Sequence, residues 1–165
     1  MGHIGAFWGT SAQPTMTLPS RILYTGSHRH NLDDKGRLTI PSSWRSAHSE
    51  NDEFLATPNP DGYITVLPPL EVTKLVDKVA AVPLSDAEAQ ADIAAFFALS
   101  LNFVFDKQGR CALSEALRRH AGITKEAVLV GSLTKFNIYS SERWALVEQK
   151  QAASGSSGFL RRYQI

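Results

Sequence analysis

The sequence predicts an α+β chain, mostly β with helices, built from two tandem copies of one strand–turn–strand unit. The first observation behind this is a self-match. Asp33-Asp34-Lys35-Gly36-Arg37 precedes Leu38-Thr39-Ile40 and then Trp44-Arg45, while Asp106-Lys107-Gln108-Gly109-Arg110 precedes Cys111-Ala112-Leu113 and then Leu117-Arg118. Matched positions from Asp33/Asp106 to Arg45/Arg118 keep one offset of 73 residues (106 − 33). A repeat at fixed offset dictates architecture before any local reading does. The second observation is that short apolar stretches bounded by turn residues recur in both halves. The third is that amphipathic helical stripes gather in the middle of the chain.

Each copy presents an acid-x-x-Gly-Arg turn. Asp caps its own backbone and Gly admits positive φ, so turn chemistry accounts for Asp33, Gly36, Asp106 and Gly109 as turn-organising residues. It does not account for an Arg at the same place twice, each followed by an apolar-x-apolar strand. Leu32 and Phe105 extend the matched frame upstream.

The elements follow in order. Residues 1–21 are rich in Gly, Ser, Thr and Pro without periodicity and read as a flexible N-terminal extension. Residues 22–82 form the first repeat, with a strand up to Leu32, the turn, a short strand from Leu38 to Ile40, and a helical turn opened by Pro41 and Ser42. Phe54 to Thr57 and Tyr63 to Leu67 read as strands joined by a Pro-Asn-Pro-Asp-Gly loop. Pro69 starts a helix whose Val72, Leu75, Val76 and Val79 share one face. Residues 83–150 form the second repeat with a linking helix, for which Ser85-Asp86-Ala87-Glu88 reads as a capping box and Ala89, Ile93, Phe96 and Phe97 as the apolar face. These two stripes are expected to pack the halves together or to meet a neighbour. Leu101, Phe103 and Phe105 alternate into the second turn, Ser114 caps a helix that Gly122 ends, and Ala127 to Gly131 and Phe136 to Tyr139 complete the strands. A last helix opens near Ser140 and carries Trp144 and Val147 inward. Residues 151–165 read as a flexible C-terminal tail on a Gly/Ser linker.

The chain has 165 residues, 43% hydrophobic and 20% charged, which are globular values, and a net charge of +1. That charge names no partner unless positive groups are concentrated on one face or multiplied by assembly. The single Cys111 excludes internal disulfides and reads as a small buried hydrophobe. No segment reaches the ~20 apolar residues of a membrane span, and the N-terminus lacks the basic start and apolar run of a secretion signal, so the expectation is a cytoplasmic protein with no membrane partner.

Enzyme chemistry is hard to find. There is no Walker loop, no G-x-G-x-x-G and no G-x-S-x-G, and Gly155-Ser-Ser-Gly158 lacks a strand–turn–helix setting. His28 and His30 would share a face of a strand, yet no carboxylate or Cys beside them completes a metal set. The reading is no catalytic residue, no metal and no cofactor. A basic set remains near the turns: Arg29, Lys35, Arg37 and Arg45 in the first half, and Lys107, Arg110, Arg118, Arg119 and His120 in the second. Arg reads phosphate and guanine edges bidentately. An Asp four positions earlier can restrain it before it meets a ligand.

These residues resemble the MraZ family of bacterial transcriptional regulators, which shares the swapped-hairpin fold of AbrB and SpoVT. Leu32-Asp33-x-Lys35-Gly36-Arg37-Leu38-x-Ile40-Pro41 resembles the family's first D-x-x-x-R motif and Asp106-x-x-Gly109-Arg110 the second. Leu117-Arg118-x-His120-Ala121-Gly122-Ile123-Thr124-Lys125-Glu126 and Val128-Leu129-Val130-Gly131 resemble the family's stretch beyond the second motif, down to Phe136 and Trp144. The resemblance implies two SpoVT-AbrB-like repeats forming a compact β-barrel-like body, with helices used in oligomerisation into a closed homo-oligomeric ring. It implies binding to double-stranded DNA, at direct repeats in the promoter ahead of the division and cell-wall gene cluster, and a nucleoid-associated location. The expected DNA-binding residues are Arg37 and Arg110, helped by Lys35, Lys107 and Arg29.

Two other classes compete with this reading. A ring-forming protein-interaction scaffold would carry the same helices without using the basic turns. A swapped-hairpin antitoxin would bind both DNA and a toxin through a tail. Antitoxin domains of that kind hold one repeat per chain, whereas this chain holds two.

Overall fold

The computed structural model describes residues 2, 5, 22–155 and 158–165. The extension expected over residues 1–21 therefore lies almost wholly outside the described residues. From Ser27 onward the elements are β1 (Ser27–Asn31), β2 (Arg37–Thr39), α1 (Ser42–Arg45), β3 (Phe54–Asn59), β4 (Tyr63–Leu67), α2 (Pro69–Ala80) and α3 (Ala87–Ala98). The second half runs β5 (Leu101–Phe103), β6 (Arg110–Ala112), α4 (Glu115–Ala121), β7 (Glu126–Gly131), β8 (Phe136–Ser140), α5 (Ser141–Ser154) and α6 (Gly158–Tyr163). The fold is α+β, centred on antiparallel sheet.

Local chemistry sets most boundaries. Asn59 closes the β3–β4 hairpin by accepting the Asp61 N–H on its side chain (2.9 Å) and the Gly62 N–H on its carbonyl (2.9 Å). Ser114 and Ser140 cap α4 and α5 through their hydroxyls, each at 3.2 Å. The cap of α3 is Asp86, whose carboxylate accepts the Ala89 N–H, so the capping box expected from Ser85 is displaced by one residue. α5 continues through Ala152, Ala153 and Ser154, and a further helix begins at Gly158, so the C-terminal segment is more helical than its composition suggests.

Six strands form one sheet in the order β1-β7-β8-β4-β3-β5, and β2 and β6 form a separate two-stranded ribbon. The copies are interlocked. β1 of the first copy pairs with β7 of the second, and β5 of the second pairs with β3 of the first. The registers match through the 73-residue offset: His28 lies opposite Leu129, and their counterparts Leu101 and Ala56 lie opposite each other. In the ribbon Leu38 lies opposite Cys111, its own counterpart. A local two-fold axis therefore passes between Leu38 and Cys111 and on between β4 and β8.

The expected β-barrel-like body is an antiparallel sheet that does not close, because β1 and β5 are its free edges and β5 spans only three residues. The core fills the space between one sheet face and the ribbon with α1 and α4, where Leu38, Ile40, Trp44, Leu117, Leu129 and Phe136 are almost wholly buried. On the other face α5 lays Trp144 against Tyr139 at a ring separation of 5.1 Å. α2 and α3 bury no residue fully. Val72, Leu75 and Val79 of the first stripe and Ala89, Ile93, Phe96 and Phe97 of the second are half-buried, while Val76 is 58% exposed, as is Leu84 (89%) in the loop between the helices.

Candidate nucleic-acid interface

The two turns are built alike, atom for atom. Asp33 Oδ1 accepts the backbone N–H groups of Lys35 (3.0 Å) and Arg37 (2.8 Å), and Asp33 Oδ2 accepts Arg37 Nε at 2.6 Å. Asp106 Oδ1 accepts the N–H groups of Gln108 and Arg110, both at 2.9 Å, and its Oδ2 accepts Arg110 Nε at 2.8 Å. Gly36 and Gly109 stand at φ +71° and +73°, the left-handed region where a Cβ is strained. One carboxylate thus fixes both the turn backbone and the side chain of the Arg that ends it.

Interlocking then sets the turns side by side. Ile40 N–H donates to the Gly109 carbonyl (2.9 Å), and Leu113 N–H donates to the Gly36 carbonyl (3.1 Å). Arg110 Nη1 also reaches across the axis to Asp33 Oδ2 at 3.5 Å. Arg37 and Arg110 stay partly exposed, at 31% and 23% of their side-chain surface. Their Nε edges are used by the carboxylates. Among the described residues neither Nη atom of Arg37 is bonded to a partner.

The electrostatics keep this bracket charged. Asp33 is held below the ordinary carboxylate range, first by the Arg37 N–H against modest desolvation, then by the Arg37 side chain and the Lys35 N–H. At Asp106 desolvation pushes upward, yet the Arg110 N–H, its guanidinium and the Gln108 N–H outweigh it and the carboxyl is again lowered. Burial pushes the Cys111 thiol up to about 12, so at neutral pH it is a protonated core group.

The structure brings Lys35 and Lys107 to the exposed tips of the same two turns. It does not bring Arg29 there. Arg29 lies opposite Val128, on the face that carries α5, and is paired with Glu126 (3.2 Å) and with Glu148 of α5 (3.7 Å). His28 turns to the other face and meets the edge of Trp44 at 5.2 Å. Among the described residues no group of three His, Cys, Asp or Glu side chains stands together as a metal set. No helix among them is long and apolar enough to cross a membrane.

Sequence patterns alone give Arg45 and Arg118 no specific role, although the two are matched across the repeat. Each lays its guanidinium over the glycine of the opposite turn, Arg45 on Gly109 and Arg118 on Gly36. Arg45 Nε donates to the Ile40 carbonyl at 2.8 Å. Their signal is the constant offset they share with the two glycines, which gains meaning only when the copies interlock.

A family model described as "MraZ protein, putative antitoxin-like" matches residues 23–93 and again residues 96–164. The two matches begin 73 positions apart (96 − 23), the offset of the turns, and together cover most of the chain. The chain belongs to the MraZ family. Among the relatives of the MraZ chain, the transcriptional regulator MraZ of Heliobacterium modesticaldum is 36% identical over 132 residues, 80% of this chain and 91% of that protein. The transcriptional regulator MraZ of Halothermothrix orenii is 35% identical over 122 residues, 74% and 84%. That of Lactobacillus gasseri is 38% identical over 122 residues, again 74% and 84%. The two MraZ matches meet within α3, beyond residue 83, where the sequence pattern places the start of the second repeat.

Proposed function

We propose that this MraZ chain is a sequence-specific DNA-binding transcriptional regulator, acting in the cytoplasm on nucleoid DNA and without catalytic activity of its own. The observation that carries the reading is the pair of Asp-braced arginines, Arg37 and Arg110, set side by side across the local axis with both side chains partly exposed. A guanidinium held by its Nε edge keeps a bidentate face for guanine O6 and N7 or for phosphate. Lys35 and Lys107 supply charge beside them. Arg29 is left out of the contact set, because its partners are Glu126 and Glu148. The names of the relatives support regulation of transcription, and the target we propose is direct repeats in the promoter ahead of the division and cell-wall gene cluster.

Assembly into a closed ring is part of the proposal. Its support is the exposed apolar surface along α2, α3 and the segments that flank α3, where Leu70 and Val76 of α2, Leu84 before α3 and Leu99 after it are open. Several copies on one DNA would multiply a basic face that a monomer of net charge +1 presents only weakly. The test is a gel-shift titration against the DNA upstream of the chain's own gene, with one repeat and with the full array, and light scattering on the same sample. Tighter binding to the array and a mass of several chains are expected. An assembly of several chains that binds no DNA would leave the scaffold reading standing instead.

A further inference from the structure

We infer that Arg45 and Arg118 form a second, flanking pair of DNA contacts, phosphate clamps on either side of the two reading arginines; this rests on the DNA-binding reading above. Four arginines surround the local axis. The inner two, Arg37 and Arg110, both approach Asp33. The outer two lie on the turn glycines next to them, Arg118 beside Gly36 and Arg45 beside Gly109. The guanidinium carbon of Arg118 stands 3.0 Å from where a Gly36 Cβ would be, and a Cβ at Gly109 would overlap the Arg45 guanidinium. Glycine at the turn thus makes room for the cation as well as for the backbone.

The outer pair differs from the inner pair in having no counter-ion. Arg29, Arg37, Arg110 and Arg119 each have a carboxylate within ion-pair distance, whereas among the described residues Arg45 and Arg118 have none. Arg118 Nε is also buried without any hydrogen-bond partner. A half-buried guanidinium with an unmet donor is a costly filler, and an apolar side chain would pack as well without the desolvation penalty. An anion brought from outside removes that cost. Beside Arg45 lies an open polar depression of about 480 Å³ shared with Ser49, Asn51 and Lys107. Asp106 on its wall is occupied by Arg110, and Glu50 stands exposed on its rim. Guanidinium, ammonium, hydroxyl and amide together suit a phosphate oxygen of the duplex backbone.

A clamp on phosphate carries no sequence information, which separates it from the inner pair. The experiment measures affinity of the full chain for the upstream duplex and for a scrambled duplex of equal length, each over a series of salt concentrations. Arg45→Gln and Arg118→Gln should weaken binding to both duplexes by the same factor. Each should also flatten the slope of log affinity against log salt, by about 0.9 for every phosphate no longer neutralised. Arg37→Ala should mainly narrow the gap between the two duplexes. An unchanged salt slope in both glutamine variants would overturn the inference, while a parent chain that binds neither duplex would overturn the DNA reading itself. Should a glutamine variant fail to fold, arginine-directed dicarbonyl labelling of the parent decides: either duplex should slow modification of Arg45 and Arg118, and rates indifferent to DNA would refute the clamps.

Discussion

The first and second turns share one scaffold and differ in what they place on it. Both use an Asp to hold two backbone N–H groups and one Arg Nε. Yet the first has Lys35 where the second has Gln108, and the second has Lys107 where the first has Asp34. Asp33 meets both arginines, whereas Asp106 meets only Arg110. Arg45 has a carbonyl for its Nε, whereas among the described residues the Arg118 Nε has no partner. The backbone geometry is preserved because every bond in it depends on the next. The tip residues diverge because nothing inside the chain holds them, so the two turns are equipped to meet non-equivalent parts of a ligand.

The largest effect expected is on DNA affinity at Arg37. Arg37→Ala should cost ~1–3 kcal/mol, the worth of one bidentate base contact, with size-exclusion behaviour unchanged. Arg110→Ala should cost less, because its Nη1 is already drawn toward Asp33. Equal losses in a binding titration would mean the turns are equivalent after all.

Next come the glycines. Both hold a left-handed φ that costs an alanine roughly 1–2 kcal/mol. At Gly109 the added carbon also displaces the Arg45 guanidinium, whereas at Gly36 it only touches Arg118. Gly109→Ala should therefore lower the denaturant midpoint further than Gly36→Ala.

Acid should loosen both turns. The folded Asp33 and Asp106 carboxyls lie below their ordinary value. Their contribution is thus fully present above the unfolded aspartate pKa of about 3.9, and is lost as pH falls through the lowered folded values. Melting temperature followed downward from pH 5 should show the gap between the parent and Asp33→Asn or Asp106→Asn closing. A gap that persists at the lowest pH would place the role of the carboxylates outside ionisation.

The smallest effect is at Arg29. Removing an exposed pair costs ~0.2–1 kcal/mol of stability, and DNA affinity should stay at the parent value in Arg29→Ala. A loss as large as that of Arg37→Ala would return Arg29 to the interface.

The turns are legible in the sequence because Asp, Gly and Arg each do local work within five residues and do it twice. The strand exchange is not, since pairing β1 with β7 joins residues about a hundred positions apart and no local pattern encodes that choice. Alternation does put Arg29 on the face opposite His28 and His30, but which face carries the turns depends on that same exchange. The extra helix in the C-terminal segment has a different reason. Ala152 and Ala153 are strong helix formers, so α5 runs on until Gly155, at φ +74°, stops it. Asp33 serving both arginines requires the copies to be interlocked first.

Leu38 and Cys111 face each other where the local axis crosses the ribbon. In a dimer of identical single-repeat chains, any residue at that spot must meet itself, and every mutation there is inherited in duplicate. Covalent fusion removes this obligation. A large branched side chain can sit against a small one, and either can change alone. The unequal pair at the axis, and the unequal turn tips a few residues away, are differences that a strict homodimer has no means to encode.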